Sequence, residues 1–564
     1  MAFTIPALAL AIFTLSIAKA RLSASTRRVP LPPGPPADPV IGHLRLIPSA
    51  GQDIFFYELS KIYGDVVHLK VMGRTLIVLN SVQAAVDLLN KRSYNYSDRP
   101  SLPIFNLFGL GDTLAIANYG HEFRLQRSIV QRFLSKEKCE RDYHPVQTRE
   151  AQVLAEALIV RPEDRLDLLL RFATAIIIDI GYGHQVTSTD DPFFKMAQDS
   201  SHVLATSGPP GSTPVDLFPI LQYLPSWIPG TYYATFARRA SSKFTTLREY
   251  PFLRVMEQLA NGTAKPSFLA SQLDVLSEDP QENAASIKRI QAAAAILYVA
   301  GGETTSSSLS FFFLAMVLFP ECQKKAQEEI DSVVGTDRLP EFRDRDSLPY
   351  VECLLQETLR WNHATPSGVP HKTLEDDIYK GMLIPKGSTV IANTRSMTLD
   401  ETVYKNPFDF EPSRFLPAPA GRGEPHPIGP FGFGRRICPG RHLATDSIWI
   451  AIATILATIS ISRAIGPDGK EVIPDAVPIA GGLTSHPKPF PCRLESRTSA
   501  SLKILRQAVE NAKVLMSYRA VDSLDEIYIS SSEWSQALEK LEQATHDVIA
   551  GASLEGVSWD VKLI

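Results

Sequence analysis

The pattern of hydrophobic and polar positions changes period several times along this chain, and those changes divide it. Residues 2–18 (AFTIPALALAIFTLSIA) are uncharged and mostly apolar. At about 1.5 Å per residue such a run just reaches across a bilayer core of roughly 30 Å. Ala18-Lys19-Ala20 has the small-x-small form of a signal-peptide cleavage site. No basic side chain precedes the run, however, and Lys19, Arg21, Arg27 and Arg28 follow it. That asymmetry favours an uncleaved anchor with the body of the protein on the cytoplasmic side. A soluble protein with a buried first helix is the remaining alternative. Five prolines between Pro30 and Pro36 then favour stiff, extended geometry, which reads as a semi-rigid spacer.

From about Asp65 to Leu79 the chain (DVVHLKVMGRTLIVL) is rich in β-branched residues around a Gly-containing turn, which predicts a hairpin. Apolar positions then recur at helical spacing in 81–92, 119–134, 145–159, 165–182 and 240–260. The longest helical signal runs from about Ala284 to Phe319; Pro320 ends it and opens an amphipathic helix that closes at Gly335. Its apolar stretch 291–319 is long enough to span a membrane, but Glu303 and the Gly301-Gly302 pair interrupt it, and no aromatic belt flanks it. A helix through the middle of a soluble core fits better. From 364 to 420 short strands and proline-rich loops take over. The Ser- and Glu-rich stretch 498–564 holds amphipathic pieces at 501–516 and 533–549 and no catalytic pattern. A disordered tail, a partner-binding extension and a gene-model artefact all fit it.

Composition narrows the function class by exclusion. The 564 residues carry a net charge of -4, so there is no basic footprint for nucleic acid. Forty-two prolines, many of them between and after the clear helices, favour a helix-rich body with long ordered loops. Five widely spaced cysteines with no CxxC pair argue against a disulfide framework and a structural zinc site, and fit a reducing compartment.

One of those cysteines, Cys438, lies in FGFGRRICPGRHLA (431–444). Such a stretch is a structural turn, a nucleophile elbow, half of a zinc site or a single thiolate ligand. Arg435, Arg436 and Arg441 supply positive charge, and Gly434 and Gly440 permit a tight turn and close approach of backbone N–H groups to the sulfur. The strongly helical run after Pro439 places the cysteine just before a helix N-terminus, which favours an anion. No strand directly precedes it, which counts against a nucleophile elbow.

Phe431-Gly432-x-Gly434-x-Arg436-x-Cys438-x-Gly440 resembles the haem-binding signature of cytochromes P450, in which the cysteine thiolate ligates haem iron. Three further stretches are similar to the family. Glu357 and Arg360 (ETLR), with Arg414 (FEPSRF), resemble its Glu-Arg-Arg network, which implies a structural role. AGGETT (300–305) resembles its oxygen-activation motif, implying that Thr304 hydrogen-bonds beside bound oxygen and Glu303 relays protons, with Gly301 and Gly302 letting the helix open locally. Arg436, His371 and Arg127 match positions of cationic groups for the haem propionates, although Phe123 stands where the family usually has tryptophan.

The resemblance covers roughly residues 30–497 and is closest to fungal microsomal members of secondary metabolism. It implies a mainly α fold with small β-sheets. The expected organisation is a single-pass anchor over 1–21, a basic and proline-rich hinge over 22–44, one haem domain over 45–497 and an extension over 498–564. It further implies heme b with Cys438 as axial ligand, and NADPH used only indirectly, through a membrane-bound cytochrome P450 reductase, with cytochrome b5 as a second candidate partner. The reductase is expected to dock over Arg132, Lys136, Lys138, Arg435 and Arg441, at the endoplasmic reticulum membrane with the domain facing the cytoplasm. Segments 101–118, 298–305, 364–370 and 480–485 are the expected substrate contacts. They are mostly apolar, which implies a lipophilic terpenoid, polyketide or aromatic substrate. A non-oxidative haem-thiolate isomerase or dehydratase, a xenobiotic-detoxifying oxidase and a haem-free cysteine hydrolase are the competing functions.

Overall fold

The computed structural model describes residues 29–519, apart from 209, 212, 277–279 and 480–481. The apolar run 2–18 and the tail piece 533–549 lie outside the described residues. The body is mainly helical with small sheets.

Its axis is the helix Pro280–Leu318, which packs against Arg165–Tyr182, Arg441–Thr458 and Tyr232–Ala260. Phe311 through Val317 are buried all round, as an apolar helix without a polar face must be. The helix runs unbroken through Gly301 and Gly302, so the expectation that the pair opens it locally is corrected. A Cβ on Gly301 would lie 3.0 Å from Ile177 Cγ1, and one on Gly302 would lie 2.9 Å from Thr174 Oγ1. The glycines let two helices approach closely. Pro320 then starts Pro320–Val333, turned by 103° from the long helix. Among the described residues no single helix is long and apolar enough to cross a membrane.

The hairpin forms as its sequence predicts: Val66–Val71 pairs antiparallel with Arg74–Leu79 across Met72 and Gly73, both at positive φ. Thr389–Ala392 joins Leu76–Leu79 in parallel, and His371–Lys372 completes a four-stranded sheet. The proline segment does not hang free. His68 N donates to Pro33 O (2.8 Å), His43 N to Lys70 O (2.6 Å) and Leu383 N to Pro30 O (2.7 Å), so the spacer is fastened to the sheet. After the last strand, the helix Ser499–Arg519 lies along His144–Val160 and buries Leu505 and Val509.

Behind the Cys438 loop, Glu357, Arg360 and Arg414 meet with their side chains fully buried. Arg360 donates from Nε and Nη2 to the two Glu357 oxygens (2.7 and 2.8 Å), and Arg414 Nε donates to Oε1 (3.0 Å). The rest of both guanidiniums is satisfied by backbone: Arg360 by the carbonyls of Thr398 and Pro407, Arg414 by that of Lys405. Two cations on one carboxylate would leave a buried positive charge. Glu424, which the sequence did not single out, supplies the second anion at 2.7 Å from Arg414. A buried pair is worth little over an apolar substitute, but removing one partner strands the other charge. Glu357→Ala should therefore destabilise the domain by about 3–5 kcal/mol, read from denaturant unfolding, while a loss under about 1 kcal/mol would contradict this reading.

Candidate functional site

The stretch 431–440 is a loop held from both ends. Cys438 N donates to Phe431 O (2.8 Å), which closes the turn and turns the sulfur toward the start of Arg441–Thr458. Gly434 has φ 55°, and a Cβ there would lie 1.9 Å from Leu89 O. Only glycine fits between the loop and the segment below it, whose Asn90 Oδ1 accepts from Gly434 N at 2.5 Å.

Burial pushes the Cys438 thiol up, and three groups oppose it: the Gly440 N–H, Arg127 and Arg441. Cys139, Cys322 and Cys353, buried elsewhere, are pushed up to about 12 by desolvation. Arg441 reaches the Cys438 carbonyl from Nη1 (3.2 Å), and Arg127 Nη1 donates to Ile437 O (2.5 Å), so both cations are fixed beside the sulfur by backbone contacts. These are the features that stabilise a thiolate.

Arg436 spreads its guanidinium over three carbonyls, Ser97 (2.7 Å), Leu114 (3.1 Å) and Ala117 (2.7 Å). It also lies 3.8 Å from the ring centroid of Phe123. Where an indole N–H was expected, a phenyl face carries the cation instead. Burial pulls Arg436 down to about 10. Arg99, from the SDRP stretch, is buried nearby and donates to the carbonyls of Ala115, Val369 and Pro370. Burial and the Arg436 charge lower it well below its usual range. His371 Nδ1 lies 2.7 Å from Tyr96 O; burial first, then Arg99 and Arg436, bring it down to about 3. Burial and the two neighbouring arginines work against a charge on this ring, which the resemblance implies as a cation.

On the central helix, Ala300 is exposed and Thr304 half-buried, although the helix around them is otherwise deep in the core. Thr304 Oγ1 donates to Ala300 O (2.9 Å), the back-bond open to any helical threonine. Glu303, about a quarter-turn away, faces elsewhere. Its Oε1 is 2.7 Å from His486 Nε2 and accepts from Thr484 Oγ1 at 3.2 Å. Burial pushes the carboxyl up, but the hydrogen bond and charge of His486, helped by Ser201 and Thr484, hold it below the ordinary range.

The four segments expected around a substrate are tied together. Arg99 joins the 101–118 loop to Val369, Ser485 N donates to Ala364 O (2.7 Å), and Ser307 Oγ donates to Ser485 O (2.5 Å). Phe105, Phe108 and Leu110 form an apolar cluster with Val203, Val215 and Phe244, against which Val299 and Val369 pack. Of the basic residues expected on the Cys438 side, Arg132, Lys136 and Arg435 are exposed, and Lys138 and Arg441 are half-buried.

The residues fit a haem. Gly432 and Gly440 leave the sulfur side of the loop nearly free of side chains, with the nearest atom to a Cβ on Gly432 being 3.9 Å away. Arg99, buried, and Arg436, half-buried, are two cations beside one carboxylate among the described residues, Asp98, itself paired with Lys372 at 2.7 Å. That imbalance suits a dicarboxylate edge. Comparison with known proteins agrees. The family described as Cytochrome P450 matches residues 32–489. Cytochrome P450 monooxygenase 176 of Postia placenta is 36% identical over 500 residues, 88% of this chain and 96% of that protein. Cytochrome P450 monooxygenase claR of Ampulloclitocybe clavipes is 36% identical over 507 residues, 89% and 93% of the two chains. Cytochrome P450 monooxygenase 208 of Postia placenta is 38% identical over 489 residues, covering 86% and 94%. A haem held by a cysteine thiolate and a redox partner that supplies electrons follow from this likeness, and the chain belongs to the cytochrome P450 family as a monooxygenase.

Proposed function

We propose that this monooxygenase oxidises a lipophilic small molecule of secondary metabolism, a terpenoid, polyketide or aromatic compound. The observation that carries the reading is the apolar cluster of Phe105, Phe108, Leu110, Val215 and Phe244 against Val299 of the central helix. A substrate bound beside this cluster would gain from apolar area and meet few groups to orient a charge. When bound, haem supplies activation of O2 and insertion of one oxygen atom into a C–H bond, at an iron held by Cys438. The protein's own part would be to favour the anionic form of that sulfur through Gly440, Arg127 and Arg441, and to hold the carboxylate edge with Arg436, Arg99 and His371. Thr304 offers a hydroxyl on the half-buried side of the central helix, and Glu303 a carboxyl for proton delivery.

Electrons come, in this reading, from an NADPH-dependent reductase that docks over Arg132, Lys136 and Arg435, exposed on the sulfur side. The membrane is the reading's site of action. What supports it, beside the apolar run 2–18, is a second apolar surface: Ile220, Tyr223, Trp227 and Tyr232 are 63%, 77%, 80% and 67% exposed within thirteen residues. Arg74 Nη1 donates to Asp216 O (2.7 Å), and Gly42 bridges to Val71, so this segment and the start of the described chain approach the same hairpin tip.

Expressed with a reductase under isotopically labelled O2, the chain should place one labelled oxygen atom in a lipophilic metabolite. Turnover confined to charged, water-soluble compounds would contradict the substrate reading. Removing residues 2–20 should move most of the protein from the membrane pellet to the soluble fraction, with residual binding weakened further by Trp227→Ser. A protein equally soluble with and without 2–20 would contradict the membrane reading.

A further inference from the structure

Glu303 is a carboxylate in the middle of an apolar helix, and such a group must find partners. It finds them away from Thr304. Successive side chains on a helix point about 100° apart. Thr304 turns to the exposed Ala300, while Glu303 turns to the hairpin Thr484–His486 and to Ser201. The hairpin is held firmly against the helix. Ser307 Oγ donates to Ser485 O, Ser485 N donates to Ala364 O, and His486 pairs with Ile479 across the short sheet. The His486 ring is therefore placed as well as a core group, yet its side chain is 33% exposed, against 10% for Glu303. Nε2 meets the carboxylate while part of the ring stays open to solvent. The carboxylate's other neighbours, Thr484 and Ser201, are hydroxyls, which hydrogen-bond but do not carry charge.

From this arrangement we infer that His486 loads Glu303 with protons and holds it turned away from Thr304 until each transfer is made. The Nε2–H bond of the imidazolium breaks, a bond forms from that proton to Glu303 Oε1, and the pair becomes neutral imidazole and neutral carboxylic acid. Without its charge attraction the acid is free to turn toward the Thr304 side and give up the proton there. Once the acid has turned away, the freed Nε2 takes up a proton from hydronium in the solvent that reaches the partly exposed ring. His486 is a positioning and proton-loading residue. The inference rests on the monooxygenase assignment and is independent of which substrate is oxidised.

The test compares the holoenzyme with His486→Gln, His486→Ala and Glu303→Gln. Glutamine can still donate a hydrogen bond to the carboxylate but cannot carry the proton. Both His486 variants should lower product formed per NADPH roughly tenfold, release the difference as peroxide, and raise the solvent deuterium isotope effect. A readout without turnover is the unfolding midpoint of the resting holoenzyme against pH. Because the Glu303 carboxyl is held below its ordinary value, its pairing adds stability that is present above about pH 4.3 and is lost as pH falls through the folded value. Glu303→Gln should flatten that acid limb, and His486→Gln should shrink it. If His486→Gln matches the unaltered enzyme in coupling, isotope effect and acid limb, the ring is a prop and the inference is wrong. Should the glutamine variant lose its haem, the double variant decides: His486→Ala should add no further uncoupling to Glu303→Gln, and additive losses would overturn the inference.

Discussion

The loop around Cys438 is arranged to offset the cost that burial puts on a negatively charged sulfur. Burial alone pushes the Cys438 thiol up, as it does the three thiols buried elsewhere in the core. What distinguishes Cys438 is geometry: a turn closed by its own N–H onto Phe431 O, the Gly440 N–H beside the sulfur, and Arg127 and Arg441 held in place by backbone contacts. None of these survives a loop that is free to move. The glycine at 434, which lets the loop touch Leu89, is thus as necessary to the chemistry as the arginines are.

The same constraint explains the buried charges around it. The Glu357, Arg360, Arg414 and Glu424 set is neutral in sum and tied to backbone carbonyls on all sides, so it stiffens the chain behind the loop without demanding a ligand. Arg99 and Arg436 are the opposite case, because their positive charge exceeds what Asp98 supplies. The dicarboxylate edge of a haem would balance that excess, and its binding would then add to stability through the usual linkage.

Much of this was legible in the chain, and for physical reasons. The hairpin over 66–79 follows from β-branched alternation around Met72-Gly73, and the helix break at 318–320 from a proline that cannot continue the ladder. The Cys438 loop and the Glu357–Arg360 pair are local in sequence, so spacing alone could suggest them. What stayed hidden depends on contacts between distant segments. Arg99 meets Arg436 only through the fold, Glu424 joins Arg414 across a loop, and His486 reaches Glu303 from 183 positions away. The Gly301-Gly302 pair is ambiguous in sequence: glycine in a helix signals either loosening or close packing, and only the distance to Ile177 and Thr174 tells which.

Whether Cys438 binds haem iron as a thiolate can be read from the absorption spectrum of the reduced, carbon-monoxide-treated protein. The unaltered chain should show the red-shifted Soret band typical of haem-thiolate proteins, and Cys438→Ala should lose it with the fold retained by circular dichroism. A band that persists in Cys438→Ala, or an unaltered chain that binds haem without the shift, would contradict thiolate ligation.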